Sequence, residues 1–277
     1  MEMPRTMSVP AKIGASRDSE EFRTNTRRLA QFAEAIGDTN PAHLAGTVAS
    51  PVFHHVPVMQ SMVEVLNDVT SGFILHGEQD FHFHRPMGPG QRLFSRSELI
   101  GTRQSSAGAL YFLRCATHTH DAQPVSTQYA TCLVQGGTCE TEGVPPPDRP
   151  RPERVGEPLL AVHAIAPDLT LRYGDAARDY SPYTIDGEAA RKLGLPAPIV
   201  HGMCTLAFIA RDVVDRLGAG DTGRLRRLGC RFSHPLFLQP GQELSVRLWP
   251  GRGLSAFEAA DSAGNLVVTN GFAEVSS

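Results

Sequence analysis

An acid and an imidazole five residues apart, Asp38 and His43, flank the Asn40-Pro41 turn in the stretch Gly37-Asp38-Thr39-Asn40-Pro41-Ala42-His43. A carboxylate and a histidine that reach one water make a general acid/base pair able to add or remove the elements of water. Proline ends a helical pattern at the preceding residue, so both side chains are expected on a loop leaving a helix over 26–37. Loops held on a rigid scaffold are where such chemistry concentrates. Taken alone, the pattern also describes an ordinary helix-ending turn followed by a surface histidine, and a second observation has to decide.

Composition narrows the field. The 277 residues, 41% hydrophobic and 20% charged, fit one large or two ordinary globular domains with a substantial core. A net charge of -3 gives no broad cationic face, which argues against nucleic acid or an anionic membrane as partner. No apolar run approaches the roughly 20 residues that span a bilayer. Cys115, Cys132, Cys139, Cys204 and Cys230 are odd in number, with no C-x-x-C pair, so neither a disulfide framework nor a zinc ribbon is indicated and a reducing cytoplasm suits them.

Residues 1–20, polar with Pro4 and Pro10 and without a signal-peptide core, read as a flexible arm. Thr24 and Asn25 can cap a helix through Ile36, in which Leu29, Phe32, Ala33 and Ile36 recur at helical spacing. An apolar helix follows at 56–69, then four strand-like runs near 73–84, 92–102, 109–119 and 125–136. The Pro- and Gly-rich stretch 137–158 reads as a linker between repeats at 21–136 and 159–277. The second half then gives a strand at 159–164, helices at 169–178, 186–194 and 202–217, and strands at 225–233, 242–249, 253–260 and 265–275.

The two halves match residue by residue. Asp38 answers Asp179 at an offset of 141, Pro51 and His54 answer Pro198 and His201 at 147, and Pro89-Gly90-Gln91 answers Pro240-Gly241-Gln242 at 151. Small drifting offsets are what loop insertions in a duplicated fold produce. Each half is expected as an α+β unit with one buried helix and a four-strand antiparallel meander curled around it, the two sheets pairing edge to edge as an internal dimer.

Gly37–His43 followed by Ala49, together with Asp179-Tyr180-Ser181-Pro182-Tyr183-Thr184-Ile185-Asp186 and Gly194–Met203, resembles the hydratase-2 signature of the MaoC-like dehydratase family. His76-Gly77-Glu78-Gln79 ahead of Phe83-His84-Arg85-Pro86 is similar to the N-terminal repeat of its double-hotdog members. The resemblance implies a hotdog fold in each half, forming a pseudo-dimer, with no metal and no organic cofactor. It also implies reversible hydration of trans-2-enoyl thioesters of coenzyme A or acyl carrier protein to (R)-3-hydroxyacyl products. A homodimer of double hotdogs is one assembly it allows. Asp38 and His43 would then hold the water and exchange protons, Asn40 would orient the loop, and a main-chain N–H at the start of the buried helix would polarise the thioester carbonyl.

Each half departs from the signature. Thr184 stands where His43 stands in the first half and cannot act as an acid or base near neutral pH, and Ser181 replaces the Asn. That half keeps Asp179, His201 and Gly202, whereas the first half has His55 in the place of Gly202. An N–H donor survives that exchange if the His55 side chain points away, and a missing imidazole has no substitute. The expectation is therefore a catalytic first half, with His55, Gly202, Asp179 and His201 as oxyanion or substrate-binding groups and the second half as acyl tunnel or scaffold.

Other features have two readings. His54 and His201 read as buried structural histidines, and the pairs His82/His84 and His118/His120 lack partners at metal-ligand spacing. Met59, Met62 and Met203 read as core, and Cys204 as a buried thiol. Arg224, Arg226, Arg227 and Arg231 could meet coenzyme A phosphates or an acidic carrier face, or form a solvated strand edge. A non-catalytic thioester-binding or assembly protein and a hotdog thioesterase stay open beside the hydratase reading.

Overall fold

The computed structural model describes residues 12–70 and 73–276. In the first half, strands β1 (Ser16–Asp18) and β2 (Phe22–Arg23) precede helices α1 (Thr26–Ala35) and α2 (Pro41–Leu44). A 3-10 segment at Pro51–Val58 leads into α3 (Met59–Val69), followed by β3 (Ile74–Phe83), β4 (Arg92–Ser105), β5 (Gly108–Thr119) and β6 (Pro124–Gln135). After β7 (Glu142–Gly143), the second half runs β8 (Leu159–Ala164), α4 (Leu169–Ala177), α5 (Pro182–Ile185), α6 (Gly187–Lys192) and α7 (Gly202–Leu217). A 3-10 turn at Thr222–Arg224 and strands β9 (Leu225–Phe232), β10 (Glu243–Trp249), β11 (Leu254–Asp261) and β12 (Leu266–Val275) complete it.

The strands form one antiparallel sheet in the order β1-β4-β5-β6-β3-β9-β12-β11-β10-β8, so the two halves repeat one five-strand order and meet at β3–β9. Each half is a hotdog unit. Val65, Leu66 and Val69 of α3 pack on Leu99, Leu113 and Val134, while α7 is buried by Leu228, Leu244, Val246 and Phe257 of its own strands and by Phe32 and Phe53 of the other half. Asn25 caps α1 by accepting from the Arg28 N–H, and Leu29, Phe32 and Ala33 turn inward as their spacing requires.

Five expectations change. The first strand after each central helix does not begin a meander: β3 lies beside β6 at the seam. The loops show why, since two residues join β4 to β5 and four join β5 to β6, whereas eight separate β3 from β4, which is long for a hairpin and enough to cross over. The arm is not loose over residues 16–18, which pair with Arg96–Glu98, and Asp18 bonds Arg96 at 2.9 Å; residues 1–11 lie outside the described residues. The linker is not free of the sheet either, for β7 pairs with Gly101–Thr102 and Arg149 bonds Glu78 at 2.6 Å. The helix expected at 56–69 starts only at Met59, because Pro57 offers no N–H and its ring obstructs the preceding turn, leaving 3-10 geometry over Pro51–Val58. Finally, His43 sits on the one-turn helix α2 rather than on a loop.

At the seam, Arg227 of β9 donates from Nε and Nη2 to the two carboxylate oxygens of Asp80 on β3, at 2.9 and 2.6 Å. Burial alone would raise the Asp80 carboxyl, but the bonds from Arg227 and His82 outweigh it and hold the group below its ordinary 3.8. Replacing Asp80 by Ala leaves Arg227 with the Asp148 carbonyl but no carboxylate acceptor and should cost about 3 kcal/mol in denaturant unfolding. Because the folded value is depressed, the difference between the two proteins should be full above pH 3.8 and shrink as pH falls through the folded value.

Candidate active site

The Gly37–His43 turn forms the hydrogen bonds that an acid/imidazole pair needs. His43 Nδ1–H donates to Asp38 Oδ2 at 2.8 Å, and Asp38 Oδ1 accepts the Asn40 N–H at 2.9 Å. Asn40 caps α2 by accepting from the Ala42 N–H, and its Nδ2 donates to the Gly220 carbonyl at 2.8 Å. In the neutral ring His43 Nε2 accepts the Thr222 hydroxyl at 2.6 Å. Arg211 of α7 completes the docking by donating to the carbonyls of Ile36 and Gly37.

Both dyad side chains are fully buried, with 0% exposed surface. The chain hydroxyl–imidazole–carboxylate has the order in which a base activates a hydroxyl. Yet the void beside Thr222 measures about 10 Å³, the size of one water and too small for an acyl group. Asp38, Asn40 and His43 therefore tie the first half to the exit of α7 in this conformation.

A cavity of about 800 Å³ lies at the other signature turn. Asp179, Thr184, His201 and Gly202 line it from the second half, and His55 and His76 from the first. Met62 and Met203 are core residues as expected, with Met59 packed against the core, and all three also border the cavity. Asp179 Oδ1 accepts from the N–H and hydroxyl of Ser181, at 3.2 and 2.7 Å, so the Ser in place of Asn still orders the turn. Gly202 is the first residue of the 16-residue helix α7, whose His201 cap supplies no side-chain bond. The opening N–H groups of a helix have no intrahelical acceptor, so this end offers donors and a positive dipole to a carbonyl oxygen.

The histidines are locked in defined tautomers. Thr184 donates its hydroxyl proton to the Ser181 carbonyl at 2.7 Å, so its oxygen accepts from His201 Nε2–H at 2.9 Å. His201 Nε2 also reaches the Asp179 carbonyl at 3.2 Å, whereas His201 Nδ1 and its repeat counterpart His54 Nδ1 are buried without partners. Burial lowers His201 and pushes His54 down to about 3.

A second chain starts at the His54 carbonyl, which can only accept. Gln128 Nε2 donates to it at 2.7 Å, leaving Gln128 Oε1 to receive Gln79 Nε2–H at 3.2 Å and His55 Nδ1–H at 3.1 Å. Gln79 Oε1 in turn accepts His76 Nε2–H at 2.9 Å across a bulge at Gly77. His55 and His76 line the cavity, and the two glutamines that hold them are buried behind it.

Of the expected site residues, the structure gathers His55, Gly202, Asp179 and His201 in one cavity and leaves Asp38, Asn40 and His43 outside its lining. Thr222 carried no sequence signal of its own. Gln128 was traceable as a polar residue at an inward position of a strand that alternates with Ser126 and Ala130. Among the four clustered arginines, Arg231 lines the cavity, whereas Arg224 bonds the Ser276 carbonyl and Arg227 is spent on Asp80. Cys204 is buried, which pushes its thiol well up.

Comparison with known proteins matches residues 147–270 to the family described as "MaoC like domain" and residues 11–128 to "FAS1-like, dehydratase domain region". The 3-hydroxyacyl-thioester dehydratase Y of Mycobacterium tuberculosis is 30% identical over 205 residues, covering 69% of this chain and 68% of the relative. A probable enoyl-CoA hydratase 2 of Dictyostelium discoideum is 24% identical, over 88% of this chain and 87% of its own length. The crystal structure of a MaoC-like dehydratase from Phytophthora capsici superposes with a TM-score of 0.81 at 24% identity, covering 95% of this chain and 94% of that one.

Removing either partner of the buried pair should destabilise the chain: Asp38→Ala and His43→Ala are each expected to lose about 3 kcal/mol. The double variant should lose clearly less than the sum, by more than ~1 kcal/mol in a double-mutant cycle read by denaturant unfolding. Additive losses would mean that the 2.8 Å contact contributes nothing.

Proposed function

The chain belongs to the MaoC-like dehydratase family, and we propose from this that it is a hydro-lyase that reversibly hydrates trans-2-enoyl thioesters to (R)-3-hydroxyacyl thioesters. The acyl group lies in the 800 Å³ cavity. The observation that carries this reading is the meeting of an apolar cavity, a helix N-terminus at Gly202 and the carboxylate of Asp179. The likeness to the dehydratase Y and hydratase 2 relatives supports the reaction class. The (R) configuration rests on the hydratase-2 signature.

In this arrangement the thioester carbonyl accepts from the Gly202 N–H. Negative charge grows on that oxygen as C2 and C3 rehybridise, and a donor aimed there is typically worth about 2.7–4 kcal/mol of barrier. Asp179, with Oδ1 held by Ser181, has Oδ2 free of hydrogen bonds among the described residues and orients the water. Met59, Met62, Leu66 and Phe73 wall the acyl chain, and Arg103 and Arg231 at the lining suit the phosphates of coenzyme A or of a carrier's pantetheine arm.

The second reading keeps the chemistry at Asp38 and His43 with Asn40 as orienter, and the intact 2.8 Å dyad favours it. It requires Thr222 to release Nε2 and space to open beside it. Enoyl-thioester hydration, followed as loss of absorbance over several chain lengths and both carriers, separates the two. The cavity reading expects Asp179→Asn to lose at least about 10²-fold in kcat/KM while folded His43→Gln turns over. The reverse pattern would move the reaction to the first half. No turnover with any thioester would favour a binding protein, and release of free thiol would favour a thioesterase.

A further inference from the structure

We propose that His55 is the proton-transfer residue of the cavity, paired with Asp179 across the boundary between the two halves. The proposal rests on the hydro-lyase reading and supplies what that reading lacks, since Thr184 leaves the second-half turn without an imidazole. The repeat places His55 at the position of Gly202, so a side chain enters the cavity from the first half where the second half has none.

The hydrogen-bond chain fixes which atom does the work. His54 C=O forces Gln128 Oε1 to be an acceptor, so His55 carries its proton on Nδ1 and presents a bare lone pair on Nε2. That nitrogen has no partner among the described residues, is not among the occluded unpaired atoms, and belongs to a residue that lines the cavity. The residue itself is only 4% exposed, so the lone pair meets the cavity rather than open solvent.

The neighbouring rings are committed elsewhere. His201 Nε2 donates to Thr184, and its Nδ1 is occluded. His76 gives its Nε2 proton to Gln79, with its ring 5.9 Å from that of His55, and burial and His55 hold it down to about 4. Burial lowers His55 as well, while the Gln128 bond and the Asp179 carboxylate oppose the fall, so the ring is uncharged near neutral pH. His76 and Gln79 act as positioning residues that hold Gln128 and, through it, His55.

In the hydration direction His55 Nε2 takes a proton from the water that Asp179 holds as the water oxygen bonds to C3. The C2=C3 electron pair shifts to C2 and the thioester oxygen, which Gly202 N–H receives. The imidazolium then returns the proton to C2 and the ring is neutral again, so one water is consumed and the hydroxyl and hydrogen arrive on one face. Dehydration runs the same steps backwards.

His55→Asn retains an N–H in the place of Nδ1–H for Gln128 and removes the Nε2 base, and His55→Gly reproduces the second half's residue and leaves room for a small imidazole. With an enoyl thioester that the wild type hydrates, both should lose about 10²–10⁴-fold in kcat with KM within a few-fold. Added imidazole should raise His55→Gly in a concentration-dependent way and leave His55→Asn unchanged. Wild-type kcat in His55→Asn overturns the proposal, and so does failure of imidazole to raise folded His55→Gly. If the wild type itself hydrates no enoyl thioester, the hydro-lyase reading fails first and this assignment falls with it, an outcome visible before any substitution is made.

Discussion

The main-chain pairing of β3 with β9 is the constraint from which the other features descend. It joins two five-strand sheets into one, and by doing so sets each half's signature turn against the segment that leaves the other half's central helix. On one side Arg211, Gly220 and Thr222 close on Gly37–His43 through hydrogen bonds. On the other, Tyr183 meets Phe73 in an edge-to-face contact with centroids 4.9 Å apart, and the space beside it stays open as the cavity. A polar lock and an aromatic contact at equivalent places produce one closed site and one open one.

The two halves have lost complementary parts. The first keeps carboxylate and imidazole, but Pro57 turns the start of its central helix into 3-10 geometry. Its α-helical N–H groups then begin at Met59, four residues beyond the position that matches Gly202. The second keeps an α-helix opening on Gly202 beside Asp179 and has Thr184 for the imidazole. Because the seam brings β3 and the Pro51–Val58 segment of the first half to the second-half turn, a histidine from one repeat can serve the carboxylate of the other. A duplicated fold tolerates such sharing, since neither half has to retain a whole site.

Most of this architecture was legible in the residues, and the parts that were not share a physical cause. Period-two runs gave β4, β5 and β6 to within a few residues, and Gly202–Leu217 was readable because its apolar spacing is uninterrupted. The position of β3 at the seam was not, because strand pairing is decided by which edges meet, although the eight-residue connection to β4 was a readable hint. Ser16–Asp18 reads as arm because three polar residues show no pattern, yet its counterpart β8 is a legible strand, and the repeat carried one element further toward the start points to it. The acid and imidazole of the dyad were identifiable; the hydroxyl that closes them, Thr222, lies 179 residues from His43 and has no local signature. Whether a turn borders a cavity depends on the side chains of the facing half, which no window of sequence contains.

His55 shows how far one main-chain group can determine chemistry. Buried amides and imidazoles must satisfy their donors and acceptors, and each can be satisfied in two orientations. The His54 carbonyl removes that freedom: Gln128 can only donate to it, and Gln79, His55 and His76 follow in sequence. The network contains no charged member, so it carries little desolvation penalty in the core and still fixes the ring's proton on Nδ1. A surface histidine would exchange tautomers freely; in the neutral ring held by Gln128 the proton sits on Nδ1 and the bare nitrogen is Nε2. The distinction between a dyad sealed by a hydroxyl and a ring held open by an amide is therefore set less by which titratable residues a half possesses than by what each imidazole's second nitrogen faces.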